Sequence, residues 1–300
     1  MISVVIPLYN KEKQILTTLQ SVWCQTFTDY EVIVVDDGST DGSVAVVESV
    51  TDPRLRLLRQ ENGGVSGARN HGIAAARGEY VALLDGDDEW HPEFLEQITD
   101  LIQRYPECDV FASDYEFRKP DGTRVPTVVR HIPFDNETGL LSNYFKVASD
   151  SNSPVCSSTV CISKKAVDSV NGFPEGIKSG EDLLTWARLA SRYGIAYTRR
   201  RLAVINIDAA YERSQKPKRV PAQQDYVGAE LEKLKKEYNP PYISRYISFW
   251  HKMRSVIYFR LGMTGRSRSE AFKAVRWNPL NVKAWALMAL NLLPARLRKL

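Results

Sequence analysis

The chain has no CxxC pair among its four cysteines, Cys24, Cys108, Cys156 and Cys161. That spacing excludes a zinc ribbon and a disulfide framework, and the thiols read as reduced, as in a cytosolic protein. The four histidines, His71, His91, His131 and His251, fit no metal-ligand spacing and read as surface or structural groups. No glycine-rich turn follows the first apolar run, which excludes a dehydrogenase-type dinucleotide site and a Walker A loop. The longest apolar stretch, Ala284 to Ala295, is about half of the ~20 residues a membrane span requires, and Asn291 and Pro294 interrupt it. The first residues, Met1-Ile2-Ser3-Val4-Val5-Ile6-Pro7, lack the basic start and small-residue cleavage site of a signal peptide and read as a strand. There is no internal repeat and no low-complexity tract.

Acidic residues are nearly missing from one region. Residues 243–300 hold twelve Lys/Arg and a single acid, Glu270, giving +11. Residues 1–242 hold 28 basic and 35 acidic residues, giving −7, so the net +4 of the 300-residue chain hides an asymmetry. A basic end on an acidic body calls for an anionic partner, either nucleic acid or an anionic membrane surface. No nucleic-acid motif accompanies the charge, so a nucleic-acid partner is not expected. Hydrophobic content of 43% and charged content of 25% suit a soluble globular chain with enough residues for a sizeable core.

What is present is organised around Glu79-Tyr80-Val81-Ala82-Leu83-Leu84-Asp85-Gly86-Asp87-Asp88. An apolar run ends in three carboxylates within four residues. Such a run reads as a buried strand, and ligands of open α/β sheets bind at the carboxyl ends of strands. Three acids this close repel one another unless a cation or hydrogen-bond donors hold them. Hard oxygen ligands suit Mg²⁺ or Mn²⁺. The alternative is a solvated acidic turn that caps the next helix and holds no metal.

Before this stretch, strands are expected over Ile2–Pro7, Tyr30–Val35 and Arg54–Arg59. They alternate with helices over about 11–23, through Val44, Val47 and Val50, and over 65–77. A helix then runs from His91-Pro92 to about Tyr105, and a strand covers Asp109–Ser113. This β-α alternation predicts a mostly parallel sheet with helices on both faces. Further on the reading has an Asp121-Gly122 hairpin, a short helix over 136–145, and a strand over 155–163. A helix follows at 164–170, then one from Gly180-Glu181-Asp182 to Tyr193, then a strand over 195–207. From Ala222 the chain reads as helical, broken at Asn239-Pro240-Pro241 and Asn278-Pro279.

Three further constellations carry chemistry. Asp36-Asp37 end the second strand, where a carboxylate can accept from a nucleobase or ribose or can cap a helix. Gly63-Gly64-x-x-Gly67-x-Arg69-Asn70 opens a helix, where backbone N–H groups and Arg69 favour phosphate. The same spacing also permits tight packing. Glu181-Asp182 sit at a helix start, where the dipole stabilises acids, and a carboxylate held there can act as a general base.

The pieces occur in one order: Val4 to Asn10, Val35 to Asp41, Gly67 to Gly72, Leu84 to Asp88, then Gly172-Phe173-Pro174 and Gly180-Glu181-Asp182. This order closely resembles the family-2 glycosyltransferases of the GT-A fold over about residues 1–215. The resemblance implies a Rossmann-like catalytic domain over 1–221 and a basic helical region over 222–300. It implies that Pro7 and Tyr9 pack around the nucleobase, that Asp37 beside Asp36 binds it, and that Asp85-Gly86-Asp87 is the DxD motif. Asp87 would then hold Mn²⁺ or Mg²⁺, Asp85 would lie near the ribose, Arg69 in the donor pocket, Asp182 would be the base, and Glu181 would orient acceptor or sugar. Tyr211-Glu212-Arg213-Ser214 resembles the family's loop near the diphosphate, but Gln215 and Lys216 stand where a His is often found. The implied reaction is inverting transfer from a nucleotide sugar, a UDP-sugar, to a hydroxyl of a glycan or lipid-linked acceptor in cell-surface polysaccharide or glycoconjugate synthesis. The rivals are a nucleotidyltransferase and a non-catalytic sugar-nucleotide-binding or scaffold protein. The basic end either docks on the inner face of an anionic membrane or packs on protein, including a second copy through the C-terminal helices.

Overall fold

The computed structural model describes residues 1–207, 217 and 219–293. Its centre is β1 (Ile2–Leu8), an apolar strand paired in parallel on both sides. One neighbour is β2 (Tyr30–Asp36), which in turn pairs with β3 (Leu55–Arg59), and the other is β4 (Tyr80–Leu83). All seven residues of β2 are buried, as expected of a strand covered on both faces. The connections are α1 (Ile15–Trp23), α2 (Ser43–Glu48) and α3 (Val65–Ala75). Gly72 lets α3 lie close on the sheet, because a Cβ there would stand 2.3 Å from Val5 Cγ1.

Beyond β4 the sheet becomes mixed. After β5 (Glu89–Trp90) and α4 (Phe94–Arg104) come β6 (Cys108–Arg118) and the hairpin strand β7 (Arg124–Pro126). β8 (Thr138–Leu140), α5 (Tyr144–Asp150), β9 (Val160–Ser163) and α6 (Lys164–Ser169) follow, then α7 (Glu181–Ala190) and β10 (Gly194–Asn206). The main path reads β3-β2-β1-β4-β9-β6-β10-β5, with β9 antiparallel to both β4 and β6 and β10 parallel to β6. The parallel half therefore carries the strand ends that face one crevice.

The expected helix over 136–145 is not there. Thr138–Leu140 pairs antiparallel with β10, and the helix begins only at Tyr144. Gly139 fits because its missing side chain leaves room for the Phe134 ring, which a Cβ would meet at 2.5 Å. Likewise only the last four residues of the expected 155–163 strand pair as one, and 153–159 forms a loop beneath β4.

Four helices complete the described chain: α8 (Tyr226–Glu237), α9 (Ile243–Arg260), α10 (Thr264–Trp277) and α11 (Val282–Leu290). Val227, Leu231, Leu234, Ile243, Tyr246, Ile247 and Trp250 are buried in the same hydrophobic cluster as Val5, Ile33 and Leu83 of the sheet. The core thus continues from the sheet into α8 and α9. α11 instead joins a small cluster of Ala274, Val275 and Ala284.

Candidate active site

The crevice is built by strand ends. β1 runs out into Pro7-Leu8-Tyr9-Asn10, and Asn10 takes a left-handed φ of 53°. Asn is among the residues that tolerate this region. The turn is tied to the loop after β2, for Thr40 N donates to Asn10 Oδ1 at 2.8 Å and Lys11 N to Ser43 Oγ at 2.8 Å. Tyr9 stands exposed at the crevice mouth.

Asp36 and Asp37 are both buried. Asp36 accepts from Ser39 N at 3.1 Å, a local turn bond. Asp37 accepts from Gln60 Nε2 and Gly63 N at 2.8 Å each and from Gly64 N at 2.9 Å. An ionised carboxylate offers roughly four acceptor positions, so one remains for an incoming donor N–H. Asp37 thereby folds the glycine turn that starts α3.

α3 carries Arg69, whose side chain is buried. Its Nη2 donates to Asp85 Oδ1 at 2.7 Å, and its guanidinium lies 5.0 Å from the Phe173 ring centre. Burial works against this charge, but Asp85, Asp182 and Glu181 outweigh it and raise the pKa. Nε and Nη1 of Arg69 are buried without partners. Phe173 is placed by Asn70, which accepts from Phe173 N and donates to Phe173 O, each at 2.8 Å.

The three acids after β4 point to three different partners. Asp85 meets Arg69. Asp87 forms an ion pair with Lys11. Asp88 is buried and accepts from Ser158 Oγ at 2.5 Å and Asn206 N at 2.9 Å. Burial first, then the charges of Asp85 and Asp87, push the Asp88 pKa well up despite those two bonds. Ser158 also accepts from the backbone Asp85 N at 3.2 Å, so one hydroxyl from the loop before β9 holds the Asp88 carboxylate and the backbone at Asp85. Asn206 Nδ2 donates to Asp87 O at 2.6 Å. Lys11, Ser158 and Asn206 were not legible as site residues. Only the strand-end position of Lys11 carried a signal, while Ser158 and Asn206 lie 70 and 118 residues from Asp88.

Asp85 and Asp87 remain about one-third exposed. Two accessible carboxylates, a third under charge pressure and two cations already drawn to them make a donor set that fits a hard divalent ion. A different group, Asp225, His251 and Glu270, brings three ligand atoms within 4.8 Å of one another. There Arg254 Nε lies 3.4 Å from both carboxylates, so a guanidinium holds the place a metal would need. Both carboxylates there are thus already paired with a cation.

Asp182 and Glu181 start α7 after Gly180, which has a left-handed φ of 86°. A Cβ on Gly180 would stand 2.6 Å from the Trp250 ring, so α9 packs directly behind this helix start. Asp182 accepts from Leu183 N at 2.7 Å. Burial raises its pKa above the ordinary value, with Arg69 pulling it down and Asp85 pushing it up. Burial and the Asp182 charge likewise raise Glu181. Arg69 therefore pairs with Asp85 and is within reach of the charges of both α7 acids. Arg213 lies outside the described residues.

The geometry matches known proteins in two respects. The architecture is a GT-A-like fold. The structure of S. aureus TarS 1-349 in complex with UDP-GlcNAc superposes with a TM-score of 0.66 at 20% identity, over 97% of this chain and 90% of that one. Residues 3–167, more than half the chain, match Glycosyl transferase family 2, and the chain belongs to that family. YibD of Escherichia coli (strain K12), described as an uncharacterized glycosyltransferase, is 46% identical over 99 residues, 32% of this chain and 29% of that protein. Glycosyltransferase GlyG of Streptococcus pneumoniae serotype 4 is 37% identical over 125 residues, 41% of this chain and 42% of GlyG. The matched stretches span less than half the length of these curated relatives.

Proposed function

We propose that the chain is an inverting, metal-dependent glycosyltransferase. It moves a sugar from a nucleoside-diphosphate sugar, a UDP-sugar, to a hydroxyl of a glycan or lipid-linked acceptor. The observation that carries this reading is the buried Arg69, which donates to Asp85 and is also acted on by the charges of Asp182 and Glu181. One guanidinium touches the donor-side acid and shares its charge with the acid suited to deprotonate an acceptor.

In this reading residues 1–221 are the catalytic unit and 222–300 a basic helical region at the cytoplasmic face of a membrane. Pro7 and Tyr9 border the nucleobase, and Asp37 takes a base N–H with its remaining acceptor position, beside Asp36. Asp87 holds Mn²⁺ or Mg²⁺, and Asp85 lies by the ribose. When bound, the ion neutralises the leaving diphosphate as a Lewis acid. Arg69 supplies two unpartnered donor nitrogens to developing negative charge, and Arg213 is assigned to the same diphosphate. Asp182 accepts the proton of the acceptor hydroxyl, whose oxygen attacks the anomeric carbon while the C–O bond to the diphosphate breaks. Glu181 orients sugar or acceptor. The UDP-GlcNAc and UDP complexes of TarS, a protein of the same fold, support a uridine nucleotide as donor.

A panel of nucleotide sugars, each with and without Mn²⁺, tests the donor by thermal shift. A preferred donor raises Tm by mass action only when the ion is present. No shift with any nucleotide sugar would set the reading aside. A shift with nucleoside triphosphates alone would favour the nucleotidyltransferase alternative.

A further inference from the structure

We propose that the outer face of α10 and α11 is a docking surface for an anionic lipid bilayer. The docking stands on its own evidence. Its use, bringing the site to a lipid-linked acceptor, rests on the transferase reading above.

The aromatic residues of the basic end divide into two sets. Trp250 and Tyr258 of α9 are buried against the body of the protein. Those further along are not. Phe272 is 59% exposed, Leu280 87%, Val282 76%, Trp285 50% and Leu292 69%. On α11 the inner side, Ala284 and Leu287, is buried. The outer side, Val282, Trp285, Ala286 and Ala289, is equally apolar and uncovered. A helix that is apolar all round is normally buried. Trp285 is also held in place, since its Nε1 donates to Pro279 O at 2.9 Å. An anchored, exposed tryptophan beside a loop of Leu280 and Val282 suits the boundary between headgroups and acyl chains.

The exposed charge on α10 and α11 has one sign. Arg266, Arg268, Lys273 and Arg276 are exposed on α10 and Lys283 on α11. The sequence holds no acid after Glu270, and the Glu270 carboxylate is buried on His251 at 2.7 Å. Among the described residues no ion pair engages Arg268, Arg276 or Lys283. Burial and the like charge of Lys283 both lower the pKa of Lys252 nearby. A second copy of the chain would bring the same positive face to a two-fold interface, so self-association is opposed. An anionic surface is complementary to it, and the exposed Leu and Val side chains fit lipid. No helix among the described residues is long and apolar enough to cross a membrane, so the face lies on the bilayer.

Flotation of the full chain with phosphatidylcholine vesicles, with and without phosphatidylserine, tests this. The protein should float with the anionic vesicles at low salt, stay in solution with neutral ones, and release as salt rises. Each Lys or Arg at such a surface multiplies partitioning about fivefold. The double variant Arg276→Gln, Lys283→Gln should therefore bind on the order of 20-fold more weakly. Trp285→Ser with Val282→Ser should also weaken binding to the anionic vesicles at low salt, with circular dichroism unchanged. Donor hydrolysis by these variants should equal that of the parent, which separates failure of the docking from failure of the transferase reading. A chain that stays in solution with anionic vesicles at low salt overturns the proposal. So does a stable dimer that Trp285→Ser dissolves, which would make the face a contact between copies.

Discussion

Arg69 Nη2 lies 2.7 Å from Asp85 Oδ1, and the charge of Asp182 acts on the same guanidinium. A single buried cation thus pairs with one acid and counters, in part, the effect of burial on the other. Arg69→Met should lower kcat/KM by about 10²-fold or more, the scale for removing one donor to a developing oxyanion. It should also raise the Asp182 pKa further, since Arg69 now pulls it down. Steady-state kinetics over a pH series checks both effects. An unchanged rate would remove Arg69 from the diphosphate side.

Asp182 should act only when ionised. Its folded pKa is raised, so activity should fall with acid at a pH above the ordinary Asp value of about 3.9. Asp182→Asn should keep donor binding and lose transfer by about 10²-fold or more. The stability sign is opposite. A carboxyl with a raised folded pKa stabilises only in its protonated form, a contribution lost as pH rises through that pKa. Asp182→Asn should therefore not lower Tm at neutral pH. Calorimetry and the pH profile of kcat/KM together test the assignment, and a clear drop in Tm would show that the ionised group is structural.

Lys11 pairs with Asp87, the acid assigned to the metal. Asp87→Ala should abolish the Mn²⁺ dependence of donor binding while the fold survives. Lys11→Met should remove a competitor and tighten Mn²⁺ binding, read by the loss of the free-ion paramagnetic resonance signal. Mn²⁺ affinity equal in parent and Asp87→Ala would place the ion elsewhere.

Gly180 supports the helix start from behind. Gly180→Ala meets the Trp250 ring and a φ of 86°, so it should cost about 1–2 kcal/mol or more in urea unfolding. Transfer should fall with it, because Asp182 moves with the helix start. Trp250→Ala costs several kcal/mol of its own, about 3–5, but also removes the clash, so the two substitutions together should cost less than the sum of the two alone.

The His251, Glu270, Asp225 and Arg254 group should behave as an ion network without metal. Glu270 is buried, and despite that burial its bond to His251 and the charge of Arg254 hold its carboxyl below the usual value. Its stabilisation is present above the unfolded carboxyl pKa and is lost as pH falls through the folded one. Glu270→Gln should cost about 3–5 kcal/mol at neutral pH. A chelator should leave Tm unchanged in Asp87→Ala, which lacks the other assigned ion ligand, and a large fall in that variant would show a bound ion at this group.

The parallel half of the sheet was legible because β1, β2 and β4 are apolar runs that end abruptly in polar residues. Asp37, Asp85 and Asp87 could be placed at strand ends for the same reason, and Asp182 because Gly180-Glu181-Asp182 opens a helix. Partners set by tertiary pairing could not be placed. Ser158 has no local pattern that marks it, and its role exists only because β9 lies antiparallel beside β4. Leu140, Leu141, Tyr144 and Phe145 have helical spacing, yet Thr138–Leu140 is drawn into the sheet by β10. The basic end showed its charge but not which aromatics it buries, because that depends on α9 closing over the site helix.

The central claim is turnover, and nucleoside diphosphate release tests it most directly. For a nucleotide sugar that raises Tm with Mn²⁺, proton magnetic resonance should show diphosphate release and a product of inverted anomeric configuration. Release should stop with a chelator and fall about 10²-fold or more in Asp182→Asn. A donor that binds tightly yet is never cleaved, with any acceptor or divalent ion, would contradict the account and leave a sugar-nucleotide-binding protein.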